Sequence, residues 1–159
     1  MACDIFLKLG DIKGESTDER HKDEIELISW TWGVAHATPP NSSGHGAGRA
    51  TFQDFVFVHH LDKASPRLMQ ACATGQHIPQ GVVSERKAGS SAQEFLVITL
   101  TDVIITSVQP SAASGGDAVV EQVGLQAGKV DLEYKAQRPD GSLDDAIAFK
   151  FDIAANKPL

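Results

Sequence analysis

The sequence predicts a mainly β fold, a two-sheet antiparallel barrel or sandwich of about eight strands with one short α-helix. Short segments of alternating apolar and polar residues recur along the chain, and the segments between them are rich in Gly, Pro and Asp. Only one segment carries complete helix signals. The 159 residues fit a single domain, residues 1–159, with a core large enough to need no disulfide.

The predicted strands cover residues 3–9, 24–34, 51–60, 82–87, 94–108, 119–125, 129–137 and 147–153. In the second of these, Trp30 and Trp32 are two residues apart, so both indoles point to one face. Because Ile28 and Val34 flank them on that face, we expect both indoles in the core. The alternative is a sugar-stacking platform, which would make the chain a monomeric carbohydrate-binding β-sandwich.

The segment 95–105 is apolar at nearly every position. One predicted face carries Phe95, Val97, Val103 and Ile105, and the other carries Leu96, Ile98, Leu100 and Ile104. A strand without a polar face needs two cores, or one core and a partner chain. This segment therefore favours self-assembly over catalysis.

The predicted helix covers residues 65–73. Ser65 can cap the first turn, Pro66 suits the first helical position, and Gly75 suits a left-handed residue beyond the end. A short helix must bury its apolar stripe against another element. The stripe residues expected in the core are Leu68, Met69 and Cys72. Cys72 and Cys3 both lie in apolar stretches, and we expect them to be small buried hydrophobes rather than a disulfide.

Charge and hydropathy exclude several classes of partner. The net charge is −7 and the cations are scattered, so we expect no nucleic-acid partner. No window approaches the roughly 18 apolar residues of a membrane span, and the N-terminus lacks the basic and apolar regions of a signal peptide. We therefore expect synthesis in the cytoplasm, no membrane insertion and no removable leader.

No pattern of catalytic or ligand-binding residues stands out. The Gly-rich stretch 44–48 has neither phosphate-loop nor dinucleotide-binding spacing, because the positions that need Gly and Lys carry Ser43 and Arg49. No histidine or cysteine pair has metal-ligand spacing, and His59 and His60 point to opposite faces of a strand. We expect no metal, no cofactor and no enzymatic activity. The loop 35–48 is long for a compact domain, which is typical of a functional or disordered segment.

Several motifs resemble the hemolysin-coregulated protein (Hcp) family, the tube-forming proteins of bacterial type VI secretion systems. They are Ile12-Lys13-Gly14-Glu15-Ser16, Trp30-Thr31-Trp32-Gly33, Leu61-Asp62-Lys63-Ala64-Ser65-Pro66, Ala71-Cys72-Ala73-Thr74-Gly75-Gln76-His77, Arg86-Lys87-Ala88-Gly89, Glu121-Gln122-Val123 and Pro139-Asp140-Gly141. The likeness runs in order through nearly the whole chain. One departure is Ala148-Phe149 in the last strand, where the family commonly has a Gly-Trp pair.

The resemblance implies a β-barrel flanked by one helix, assembled as a homohexameric ring whose rings stack into a hollow tube. It also implies expulsion by a contracting sheath, a VgrG-type spike protein at the tip, and effector proteins carried or chaperoned in the lumen. Export by this route needs no signal peptide. The implied partners are therefore a second copy of the chain, the spike, the sheath proteins and the effectors.

The resemblance also suggests two groups of site residues. Thr31 matches a small polar position that lines the lumen in relatives, and Ser29 shares its face, so both are lumen or effector-contact candidates. The loop 35–48 corresponds to an extended loop that docks on an adjacent ring or subunit. The ring-stacking or subunit-interface candidates are Lys13, Glu15, Ser43, Gly44, His45, Gly46 and Gly48.

Overall fold

The computed structural model describes residues 2–37, 48–88 and 93–159. Its strands are β1 (Cys3–Leu9), β2 (Ile25–Glu26), β3 (Ser29–Thr31), β4 (Val34–His36), β5 (Ala50–Phe52), β6 (Phe55–His60), β7 (His77–Lys87), β8 (Glu94–Ser111), β9 (Val120–Tyr134), β10 (Ile147–Asp152) and β11 (Lys157–Pro158). Helix α1 is Ser65–Thr74, and all strand pairs are antiparallel. The predicted fold class is confirmed.

The main sheet closes on itself. Its order is β2-β1-β7-β8-β9, and β9 then pairs with β6 along its first half and with β10 along its second half. Leu27 donates its N–H to Ile5 O at 2.9 Å, whereas the next residue, Ile28, donates to Val58 O at 2.7 Å. The segment from β2 to β3 thus joins β1 to β6, which closes a barrel and removes two sheet edges.

The segment predicted as one strand, 24–34, is three short strands. Leu27 is buried, Ile28 and Ser29 are both exposed, and Trp30 is half-buried, so the alternation changes phase at the step from β1 to β6. Ile28 and Val34 are therefore exposed and do not share a buried face with the indoles. The end of the segment pairs as β4 with β5, so part of the predicted loop 35–48 is strand.

The strand β8 changes phase in the same way. Thr101 and Asp102 are both exposed, and Val103 and Ile105 belong to the same core as Ile98 and Leu100. Asp102 has a φ of 56°, a left-handed conformation that interrupts regular strand geometry. The prediction that Val103 and Ile105 lie on a separate apolar face was wrong, because strict alternation does not continue through this residue.

The helix begins at the predicted residue, ends one residue later than predicted, and has the predicted C-cap, with Gly75 at φ 63° donating to the carbonyls at the helix end. The predicted N-cap was wrong. Ala64 occupies that position, and the hydroxyl of Ser65 instead accepts from Asp62 N–H at 3.1 Å. No helix in the described ranges is long and apolar enough to cross a membrane.

Burial differs among the residues of helix α1 and strand β1 that were predicted to lie in the core. Leu68 is fully buried, but Met69 is 47% exposed, so its assignment to the core was wrong. Cys72 is half-buried and packs against the core. Cys3 is exposed on β1, contrary to prediction, because it lies at the end of that strand.

A connecting segment, residues 10–24, lies on the outside of β1 and is held by a stack of three side chains. The Phe6 ring stacks on the His21 ring at 4.3 Å, and the Arg86 guanidinium lies 5.0 Å from the Phe6 centroid on the barrel. Arg86 also binds Asp18, which lowers the pKa of that carboxyl and raises the pKa of the guanidinium. The segment is therefore an ordered part of the molecule that covers the outer face of β1.

Candidate functional site

The two lumen candidates lie on the short strand β3. Ser29 and Thr31 are exposed and flank the half-buried Trp30, as alternation requires. Backbone pairing with Val58 and Val56 of β6 holds both residues in place. The strand therefore presents two small polar side chains away from the core.

Both indoles pack against phenylalanine rings. Trp30 stacks on Phe55 at 5.6 Å, and its Nε1 donates to Glu85 Oε2 at 3.2 Å. Trp32 stacks on Phe52 at 5.8 Å. Each indole thus has one face against another aromatic ring, as core aromatics do, and the arrangement favours the core interpretation over a sugar-stacking platform.

The interface candidates Lys13 and Glu15 lie on the outer segment 10–24 and are exposed. Between them, Gly14 is buried so closely against the same segment that a Cβ there would lie 2.5 Å from Glu24 O. Glu15 Oε2 accepts from the backbone N–H of Lys63 at 3.0 Å, which connects the segment to the start of α1. Lys13 and Glu15 are thus held on rigid backbone beside the helix.

The remaining interface candidates belong to the loop after β4. Ser43, Gly44, His45 and Gly46 lie outside the described residues. Gly48 is described and follows this gap, where a Cβ would collide with the carbonyl oxygen of Ala37. Two chain segments therefore approach closely at the point where β4 and β5 extend toward the loop.

An exposed apolar surface, which the sequence analysis missed, lies where β9 and β10 leave the barrel. Tyr134 pairs with Ile147, and Leu132 with Phe149, so all four side chains share one face. Ile147, Tyr134 and Phe149 are 73%, 45% and 40% exposed. We call these three residues the ribbon patch. The alternation in 129–137 predicts an inward apolar face, but only the pairing with β10 shows that its end is uncovered.

A buried ionisable pair is the second feature that the sequence analysis missed. His59 on β6 and Glu121 on β9 are directly opposite, both fully buried, with His59 Nε2 2.8 Å from Glu121 Oε1. His59 Nδ1 lies 3.7 Å from Asp62 Oδ2, ahead of α1. Burial alone would lower the pKa of His59, but hydrogen bonding and charge from Asp62 and Glu121 together raise it. The available signal in the sequence was Glu121, which has Val119 and Val123 two residues away on the same face of a predicted strand.

No group of three His, Cys, Asp or Glu side chains is arranged to hold a metal within residues 2–37, 48–88 and 93–159. The described surface includes exposed strands, the polar outer segment and the ribbon patch. Such surfaces are suited to binding other proteins.

Comparison with known proteins identifies relatives along the whole chain. Residues 6–134 match the family model described as "Type VI secretion system effector, Hcp". Protein hcp1 of Pseudomonas aeruginosa is 41% identical over 159 residues, covering 98% of each chain. The crystal structure of Hcp1 from Salmonella typhimurium is 39% identical with a TM-score of 0.82 and covers 100% of both chains. A structure described as a type six secretion system protein is 28% identical, with a TM-score of 0.92, covering 99% of this chain and 100% of that one.

Proposed function

Because the chain belongs to the Hcp family of type VI secretion proteins, we propose that six copies form a ring and that the rings stack into a hollow tube. The family is one of structural, secreted tube proteins and not of enzymes. The tube is expelled by sheath contraction with a VgrG-type spike at its tip. Assembly takes place in the cytoplasm, and export needs no signal peptide.

The observation that best supports assembly is the ribbon patch. Its three side chains continue the apolar face of the core onto β9 and β10, and the outer edge of β10 is paired at Lys150, Phe151 and Asp152 but not, among the described residues, at Ile147 to Phe149. Exposed apolar strand faces beside open edges are unfavourable in monomers. A neighbouring protomer in a ring would cover this face through a heterologous contact, in which each protomer uses two different surfaces.

We assign effector contact to the exposed face of β3. Ser29 and Thr31 are small and polar, so a wall made from six copies would present their hydroxyl groups beside the half-buried Val58 and Val56. Such a wall suits a carrier that must hold and then release folded effector proteins. Lys13, Glu15 and the loop after β4 are assigned to contacts between protomers or rings.

Negative-stain electron microscopy of the purified chain tests the assembly. We expect rings with a central opening for the wild type and for Ile147→Val, which keeps the apolar surface. Ile147→Asp should leave a folded protomer, measured by circular dichroism, and lose the rings because a carboxylate would be buried in the interface. A wild type that stays a monomer under all solution conditions would contradict the proposal.

Thr31→Gln tests the lumen assignment. The longer side chain should reduce the space for cargo beside β3, while ring formation and thermal stability stay unchanged. We expect fewer effector proteins to co-purify with the variant than with the wild type, as measured by quantitative mass spectrometry. Thr17→Gln, an equal change on the outer segment, is the matched control. Loss of rings in Thr31→Gln would show that this residue lies in an interface instead.

A further inference from the structure

A polar groove of about 540 Å³ lies between the outer segment and helix α1. Its charged lining residues are Asp11, Lys13, Lys63 and Arg67, so cations outnumber acids in a chain whose net charge is −7. The other lining residues include the amides of Gln70 and Gln76. Amides and cations together are suited to binding carboxylates.

Two of the three cations are available to a partner. Lys63 already has a neighbour, since its Nζ lies 4.0 Å from Asp23 Oδ1. Lys13 and Arg67 are exposed, and their side chains have no hydrogen bond or ion pair within the described part of the chain. Arg67 stands on α1 and Lys13 on the outer segment, so they face the groove from two separate elements.

The turn between β9 and β10 carries acidic side chains, and not all of them are paired with a cation. Asp144 is paired with Arg138 at 2.7 Å. Asp140 accepts from the N–H and hydroxyl of Ser142, which lowers its pKa and keeps it ionised. Asp145 is exposed and has no ion pair among the described residues. We call residues 139–145 the acidic turn.

The groove and the acidic turn lie at opposite ends of the strands. His77 follows α1 and pairs with Ile104, so the helix lies at that end of β7 and β8. Tyr134, which precedes the acidic turn, pairs with Leu96, and Leu96 pairs with Glu85 of β7. The eight residue steps from His77 to Glu85 correspond to roughly 26 Å of strand.

We propose that the groove of one protomer binds the acidic turn of a protomer in the next ring, with Lys13 and Arg67 opposite Asp140 and Asp145. The inference rests on the proposed ring and tube, and it assigns the occupant of the groove as a second copy of this chain. A head-to-tail stack requires two complementary surfaces at opposite ends of one molecule, and opposite charges provide such complementarity. The same contact can then repeat from ring to ring without limit.

The contact is weak in each copy and becomes effective through repetition. An exposed ion pair changes an association constant by about 1.4-fold to 5-fold, and a hexameric ring would repeat the contact six times. Charge reversal at one position should therefore reduce ring stacking by at least about sevenfold. Stacking should also weaken in about 1 M salt, where charges are screened over roughly 3 Å.

A charge swap tests the proposal. Arg67→Glu should still form single rings but lose stacks, measured by electron microscopy and sedimentation velocity. Asp145→Arg should have the same defect, and the double variant Arg67→Glu with Asp145→Arg should recover stacking because the charges are exchanged. Lys129→Glu, an equal change of an exposed lysine that does not line the groove, is the control and should stack normally.

Each outcome has a distinct meaning. Recovery in the double variant supports the proposed contact. Normal stacking by Arg67→Glu overturns it and would assign the groove to another protein, such as the sheath or spike. A double variant that remains unstacked also overturns the pairing. Absence of rings in the wild type would contradict the proposed function itself. The results with the variants concern only the stacking contact, because the variants should still form single rings.

Discussion

At the residue scale, the most informative group is the buried pair of His59 and Glu121. It connects the adjacent strands β6 and β9. Asp62, which lies just before α1, is also close to His59. A hydrogen bond of 2.8 Å joins His59 Nε2 to Glu121 Oε1, whereas His59 Nδ1 and Glu121 Oε2 have no hydrogen-bond partner within the described ranges. Removing one partner of such a pair leaves an uncompensated buried charge.

The raised pKa of His59 predicts how stability depends on pH. A folded-state pKa above the unfolded value of about 6.5 means that the contribution is complete below that pH. The contribution is then lost as pH rises through the folded-state pKa. Urea unfolding from about pH 6.5 upward should show a falling free energy of unfolding for the wild type.

Two variants distinguish the charge from the packing. His59→Gln should remove the fall with pH and also cost roughly 3–5 kcal/mol, because it leaves Glu121 buried alone. The double variant His59→Gln with Glu121→Gln keeps a neutral hydrogen-bonding pair, so it should remove the fall at a smaller cost. A double variant with the wild-type pH dependence would contradict the role of this pair.

At the element scale, the strands change phase where the barrel bends. Such changes occur at Ile28–Ser29 before β3 and at Thr101–Asp102 in β8. Both allow one chain segment to keep apolar side chains in a single core while its direction changes. Helix α1 shows the same dependence on neighbours, because only the part of its stripe that faces the core is buried.

Adjacent helix positions should respond differently to truncation. Leu68 is fully buried and Met69 is 47% exposed. Leu68→Ala should lower the free energy of unfolding by about 2–5 kcal/mol, since it leaves a cavity. Met69→Ala should change it by less than about 0.5 kcal/mol. Chemical denaturation of both variants checks the difference, and equal losses would mean that Met69 is covered by a contact in the protomer.

At the scale of the whole molecule, the ribbon patch and the groove are the two surfaces through which we propose that protomers contact one another. If rings are the native form, the melting temperature should rise with protein concentration, because association stabilises only the folded chain. Differential scanning fluorimetry over an about tenfold concentration range checks this. Ile147→Asp should make the melting temperature independent of concentration, and a wild type without concentration dependence would contradict ring-coupled stability.

The sequence by itself determined the features that depend on near neighbours in the chain. Alternating segments identified the strands β1 and β10 to within a residue, and Gly75 marked the helix end correctly. The ordered motifs identified the family, which comparison along the whole chain confirms. Local periodicity and capping are sufficient for these features because each depends on a few consecutive residues.

Only the tertiary structure decided which apolar faces are covered. Several features depend on pairs of residues far apart in sequence. They are the phase changes in β8 and before β3, the exposure of Met69, the burial of His59 against Glu121, and the ribbon patch. A strand pattern predicts that a face is apolar. The closure of the barrel determines whether that face contacts the core, water or another protomer. For this protein, burial is a property of the closed sheet and not of any single strand.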